Sequence, residues 1–218
     1  MPRGLFLQCL ALAAGWLAFF AWHSVLAADG PKAWAARHLP RLAPAWRLAY
    51  NVASTAWVAV LVALEHRVET PVAWDPLSGP LAPFTLAADA AAAVFFASAL
   101  LRADPLHFAG IRQILVREVD PPDRLVTTGP WRWIRHPLFA SGIVLVWGRR
   151  LEVHQACSAL LITLYLVVGA RLEERRLLRR FGDDYRRYME RTGRFLPRAG
   201  RRRRDGTKGG TGARGAAS

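Results

Sequence analysis

The sequence predicts an all-α fold: a polytopic membrane helical bundle of about five transmembrane segments. The last two form a helical hairpin, and a cytoplasmic helix lies on the interface. Two observations carry that expectation. Hydrophobic residues make up 53% of the 218 residues, and three apolar runs approach or exceed the ~20 residues that a bilayer crossing needs. Between those runs the charge alternates, basic loops following acidic ones, as expected of a chain that obeys the positive-inside rule.

The first apolar run extends from Leu5 to Ala28. Arg3 before it and the small residues around Ala27 imitate a secretory signal peptide. Its length, its Trp and Phe content and its end in His23-Ser24 favour a retained first helix. His23 then lies toward the inner end of that helix, either bonded to a neighbouring helix or in contact with substrate. The next loop is basic, with Lys32, Arg37, Arg41 and Arg47. A second run goes from Trp46 to about Leu64, and the stretch Glu65 to Gly79 is acidic. The third run, Pro80 to Leu101, carries Asp89 within it. An ionisable residue at that depth is a candidate for function or for pairing between helices. The alternation puts the N-terminus outside and the C-terminus in the cytoplasm, and an integral membrane protein of the bacterial inner-membrane type is the expectation. It divides the chain into three N-terminal helices (1–104), a core (105–197) and a disordered basic tail (198–218).

The core opens with a polar stretch and a turn cluster, Thr127-Thr128-Gly129-Pro130. Arg132, Arg135 and His136 stand just before Pro137, which suits the first position of a helix. Cationic side chains and a helix N-terminus together make a good place for an anion. Leu138 to Trp147 is only ten residues, and after Gly148-Arg149-Arg150 a second helix runs from near Val153 to about Arg180. Glu173 and Glu174 lie where that helix leaves the apolar region, a position that calls for a partner or a role. Phe181-Gly182 predicts a helix end and Asp183 a new cap. Phe181, Tyr185, Tyr188 and Thr192 then share one helical face, suited to an interface or to packing. Tyr185 and Tyr188, with Trp131, Trp133 and Phe139, offer aromatic faces for stacking or cation–π contact.

Composition excludes several chemistries. Cys9 and Cys157 lie in separate apolar runs with no CxxC and no His at ligand spacing, so neither a disulfide nor a metal site is expected. No P-loop, GxGxxG or HExxH occurs. The net charge of +14 is concentrated in part between Arg198 and Arg214, and in a membrane protein that tail points to anionic lipid rather than nucleic acid.

LVTTGPWRWIRHPLF from Leu125 to Phe139, followed by LEERRLLRRFGDDYRRYMERTGRFLP from Leu172 to Pro197, resembles the C-terminal signature of the integral-membrane S-adenosylmethionine-dependent methyltransferases. That superfamily includes isoprenylcysteine carboxyl methyltransferases, phospholipid methyltransferases and methanethiol S-methyltransferases. GIRQ at Gly110 to Gln113, His23-Ser24 and the basic first loop are similar to the methanethiol branch. The N-terminal half is also similar to NnrU-type accessory proteins, and membrane sterol-type reductases using NADPH share the architecture. The resemblance implies S-adenosyl-L-methionine as cofactor. It places Arg135, His136, Pro137, Glu173 and Glu174 in the cofactor pocket, with Arg135 and His136 catalytic. Trp131 and Phe139 depart from it, standing where many relatives have Tyr. The implied acceptor is a small thiol, with His23, Asp89 and Gln113 as substrate candidates. A prenylated cysteine or a phospholipid amine is the alternative.

Overall fold

The computed structural model describes residues 3–117 and 125–198. The expected tail therefore lies outside the described residues, apart from its first position. Eight α-helices occur among them: α1 (Arg3–Ala27), α2 (Asp29–His38), α3 (Trp46–Glu65), α4 (Ala82–Arg102), α5 (Pro105–Ala109), α6 (Ile111–Val116), α7 (Pro137–Trp147) and α8 (Val153–Arg191). Of these, α1, α3, α4 and α8 are long and apolar enough to cross a membrane. At 11 residues α7 reaches only ~16 Å, about half of a ~30 Å hydrocarbon core.

The centre of the bundle is aromatic. Trp16, Phe19 and Phe20 of α1 pack against Leu61 of α3, and Phe20 stacks on Tyr165 of α8 with ring centroids 4.2 Å apart. Such rings bury much area on short side chains. They pack α1 into the bundle. On the other side α7 packs along α4 and also touches α8. Asp89 of α4 lies there, not at the bundle's basic end. Its carboxylate sits so close to Gly148 that a Cβ on that glycine would meet Oδ1 at 1.9 Å.

Two local features differ from what the sequence predicts. The basic first loop contains a helix of its own, α2. The tip between α7 and α8 is a two-residue strand, β2 (Leu151–Glu152), pairing antiparallel with β1 (Val72–Trp74) in an otherwise helical chain. Arg149 and Arg150 therefore sit beside an anchored loop, where Trp74 Nε1 donates to the Trp147 carbonyl at 2.7 Å. The break that the sequence predicts at Gly182 is present: the glycine takes φ 52° and ψ −123°, and a second helical stretch follows it to Arg191. A left-handed φ is open to glycine at little steric cost. The kink turns Tyr185, Tyr188 and Thr192 inward as buried residues, so this stripe is a packing face against the Arg135 segment and not a lipid-facing one.

Candidate active site

Even up to its kink at Gly182, α8 is longer than the ~30 Å apolar core it crosses, so the turns after Leu172 project beyond that core. Glu173 and Glu174 begin that projection. They are adjacent in sequence, point to different surroundings and have different neighbours.

Glu174 is enclosed. Arg135 donates through Nε to its Oε1 at 2.9 Å, with NH2 at 2.8 Å from the same oxygen. Arg194 approaches from the other side, Nε lying 3.1 Å from each oxygen and NH2 2.6 Å from Oε2. The side chains of Arg135 and Glu174 are 8% and 4% exposed. Burial acts to raise the Glu174 carboxyl, but hydrogen bonds from Arg194 and Arg135 and their charge more than offset it, holding the group at about 2. Arg135 NH1 donates further to the Met189 and Thr192 carbonyls. A guanidinium has five N–H donors, so most of this one is already engaged.

The backbone completes the clasp. Arg135 N donates to Gly193 O at 2.8 Å and His136 N to Arg194 O at 3.1 Å, tying the segment before α7 to the chain after α8. Tyr188 donates its hydroxyl to Trp131 O at 2.7 Å. Burial pushes the Tyr185 and Tyr188 phenols up, so both stay protonated at neutral pH. Arg194 is the member that sequence reasoning missed. It follows a Gly near the end of the second signature stretch, with nothing beside it to single it out; only the return of the chain after Gly182 brings it to Glu174.

His136 lies between the two carboxylates, Nε2 3.3 Å from Glu174 Oε1 and Nδ1 3.4 Å from Glu173 Oε2. Its ring stacks on Phe139 at 5.5 Å and lies 5.9 Å from Phe195. Pro137 is fully buried as the first residue of α7. Glu173 is 47% exposed and lines a cavity of about 1040 Å³ at the basic end of the bundle. Lys32 of α2, Arg47 of α3 and Gln113 of α6 line the same cavity, as do Arg176, Arg179 and Arg180 of α8.

Gln113 reaches the wall because of Gly110. That glycine has φ 93°, and a Cβ there would lie 2.5 Å from the Leu48 nitrogen, so α6 can approach α3 this closely only with glycine at the turn. Asn51 Nδ2 donates to the Phe108 and Ala109 carbonyls at 3.0 Å, and Arg47 NH1 lies 3.4 Å from the His107 carbonyl. Gln113 is 4% exposed; its Nε2 donates to His107 O at 3.1 Å, while its Oε1 is buried without a partner among the described residues.

The structure therefore brings together Arg135, His136, Pro137, Glu173, Glu174, Tyr185 and Tyr188, and joins Gln113 to them across the cavity. His23 belongs to a separate polar cluster among α1, α3 and α8. Its Nδ1 is 2.7 Å from the Tyr165 hydroxyl, Ser24 Oγ is 3.2 Å from the same oxygen, and its ring is 5.5 Å from that of Tyr50. Tyr50 in turn lies within electrostatic reach of Arg47 and Arg176 on the cavity wall. No cluster of His, Cys, Asp and Glu among the described residues suits a metal ion.

Comparison with known proteins gives a consistent set of relatives. The chain is 28% identical over 179 residues to methanethiol S-methyltransferase 1 of Bradyrhizobium diazoefficiens, covering 80% of the chain and 62% of that protein. It is 30% identical over 183 residues to methanethiol S-methyltransferase of Pseudomonas deceptionensis, covering 80% of the chain and 67% of the relative. A third match, from Pseudomonas sp. (strain GM41(2012)), is 29% identical over 203 residues and covers 88% and 72%. The chain thus spans about three-fifths of the first relative's length. No family model and no solved structure matches it.

Proposed function

The chain belongs to the methanethiol S-methyltransferase family, and from that premise we propose that it transfers a methyl group from S-adenosyl-L-methionine to a small thiol, with methanethiol the favoured acceptor. The observation that carries the reading is Glu173. It stands on the wall of a large cavity, in contact with buried His136, beside a glutamate that is fully engaged in holding the fold together.

The residues present fit the cofactor. A cavity near 1040 Å³ is at the upper end of the ~300–1,000 Å³ typical of small-molecule sites, which leaves space for an acceptor as well. The unpartnered Gln113 Oε1 is an acceptor in need of a donor, and an adenine amine or a ribose hydroxyl is one. Glu173 accepts from ribose hydroxyls or from an ammonium. Bound S-adenosylmethionine supplies an electrophilic methyl on a sulfonium, so no metal is needed.

The protein's own contribution is position, exclusion of water and a place for one proton. Arg135 and Glu174 act as positioning residues. Their ion pair fixes His136, and through it the carboxylate of Glu173. A thiol must lose its proton as it attacks. His23, in the polar cluster with Tyr165 and Ser24, is the imidazole that takes that proton. Tyr185 and Tyr188 support the clasp from behind through packing and the bond to Trp131.

In this reading α7 is a fifth membrane segment sheltered by α4 and α8, the N-terminus faces outward and the clasp lies in the cytoplasm. The basic residues after Arg198 meet anionic lipid.

Membranes containing the full chain, supplied with methyl-labelled S-adenosylmethionine, test the acceptor directly. Labelled dimethyl sulfide from methanethiol supports the reading. A base-labile ester on a prenylcysteine analogue, or label on phosphatidylethanolamine, with no dimethyl sulfide, replaces the acceptor. Saturable NADPH binding without S-adenosylmethionine binding replaces the enzyme class.

A further inference from the structure

Arg135 has too few free donors to hold the cofactor's carboxylate, since Glu174 and two backbone carbonyls take most of them. Any anionic group bound in the cavity needs other cations. The structure offers a set drawn from three elements: Lys32 on α2, Arg47 on the first turn of α3 and Arg176 on α8.

These three are close enough to disturb one another. Burial, and then the charges of Arg47 and Arg176, push the Lys32 ammonium below its usual value, with Asp29 acting in the opposite direction. Asp29 Oδ2 is itself 3.8 Å from Arg176 Nε. Three cations and one carboxylate thus share a corner of the cavity. The arrangement is costly unless an anion completes it, because like charges held together raise one another's energy. Among the described residues, Arg47 keeps donors available, as its hydrogen bond to His107 O uses NH1.

We propose that Lys32, Arg47 and Arg176 bind the α-carboxylate of S-adenosylmethionine and that Asp29 accepts from its α-ammonium. This makes the corner the subsite for the amino-acid head of the cofactor. The match is one of pattern as well as sign: an excess of cations beside a single carboxylate complements a zwitterion, whereas a bare phosphate gains nothing from Asp29. The nucleoside then extends along the cavity toward Glu173 and Gln113. The proposal rests on the cofactor reading given above.

The test is a cycle of ligands and variants on the detergent-solubilised full chain. Affinities for S-adenosylmethionine and for its decarboxylated analogue are measured by calorimetry in wild type, Lys32→Met and Arg176→Gln. Wild type is expected to favour the carboxylate-bearing ligand by ~10-fold or more, the scale of one charge-assisted contact. Each variant is expected to lose that preference by weakening only S-adenosylmethionine, leaving the analogue unchanged or tighter. Arg176 is exposed, so its replacement spares the fold. Equal weakening of both ligands in the variants, or no preference in wild type, overturns the subsite while the cofactor reading stands. Failure of wild type to bind either ligand overturns both.

Discussion

Two buried glutamates, Glu65 at the end of α3 and Glu174 within α8, lie toward opposite ends of the bundle, and their surroundings differ in kind. Glu65 closes α3. Its carboxylate accepts from the Trp16 indole at 3.0 Å, and its backbone carbonyl lies 3.1 Å from His154 Nε2. His154 Nδ1 is 2.8 Å from the Thr70 hydroxyl, and the Thr70 backbone nitrogen donates to Glu152 at 2.6 Å. That hydrogen bond is the main reason the Glu152 carboxyl lies below its ordinary range. This network pins α1, α3, the β1 loop and the start of α8 together through single contacts, most of them with neutral groups. Glu174 at the other end is held by two guanidiniums from distant parts of the chain and has an exposed acid as its neighbour in sequence. The lesson is that burial of a carboxylate does not by itself mark a site. The mark is a second carboxylate, left open at a cavity beside the buried one.

The same substitution at the two ends sharpens this contrast. Glu174→Gln removes the charge that buried Arg135 and partly exposed Arg194 face, and breaking a buried pair costs ~3–5 kcal/mol. Its thermal midpoint should fall well below wild type, with cofactor binding lost as well. The pH dependence follows from the same pair. The carboxyl titrates at about 2 in the fold against a reference of 4.5, so its stabilisation is complete above that reference and is lost as pH falls through about 2. Melting curves across that window should flatten in Glu174→Gln; an unchanged slope would remove Glu174 from the account of acid sensitivity.

Glu173→Gln is next in size. Stability should hold, since the side chain is half exposed, while affinity for S-adenosylmethionine drops ~10-fold, equivalent to ~1.4 kcal/mol. Calorimetry with the variant reads it directly. Glu65→Gln should change stability by no more than ~1 kcal/mol, because an amide oxygen still accepts from Trp16. Its cofactor affinity should match wild type, and a large loss there would mean that the two ends are coupled. Deleting 199–218 should have the smallest effect, leaving cofactor affinity unchanged and weakening only association with anionic vesicles.

Much of this arrangement is legible in the sequence, and the limits are physical. The apolar runs of α1, α3 and α4 announce themselves because a bilayer demands unbroken stretches of such residues. Arg135, His136, Glu173 and Glu174 stand out because charge beside apolar sequence calls for a partner. Their division of labour does not. Which of two consecutive glutamates faces inward depends on helix phase, and which partner it meets depends on the chain's return after Gly182, a long-range event. Arg194 is invisible for that reason. The α2 corner is hidden by the same logic: Lys32, Arg47 and Arg176 are far apart in sequence, and each alone reads as a positive-inside charge. Asp89 shows the reverse, conspicuous by its depth yet placed against Gly148, away from the cavity.

The most direct measurement compares the two ends by activity. Wild type, Glu65→Gln, Glu173→Gln and Glu174→Gln are each given S-adenosylmethionine and methanethiol in membranes, normalised to inserted protein, and headspace dimethyl sulfide is followed. Output retained by Glu65→Gln, and lost by both Glu173→Gln and Glu174→Gln, is the result that follows from an open acid beside a clasped one. Wild-type output from Glu173→Gln, or equal loss from Glu65→Gln and Glu174→Gln, contradicts it.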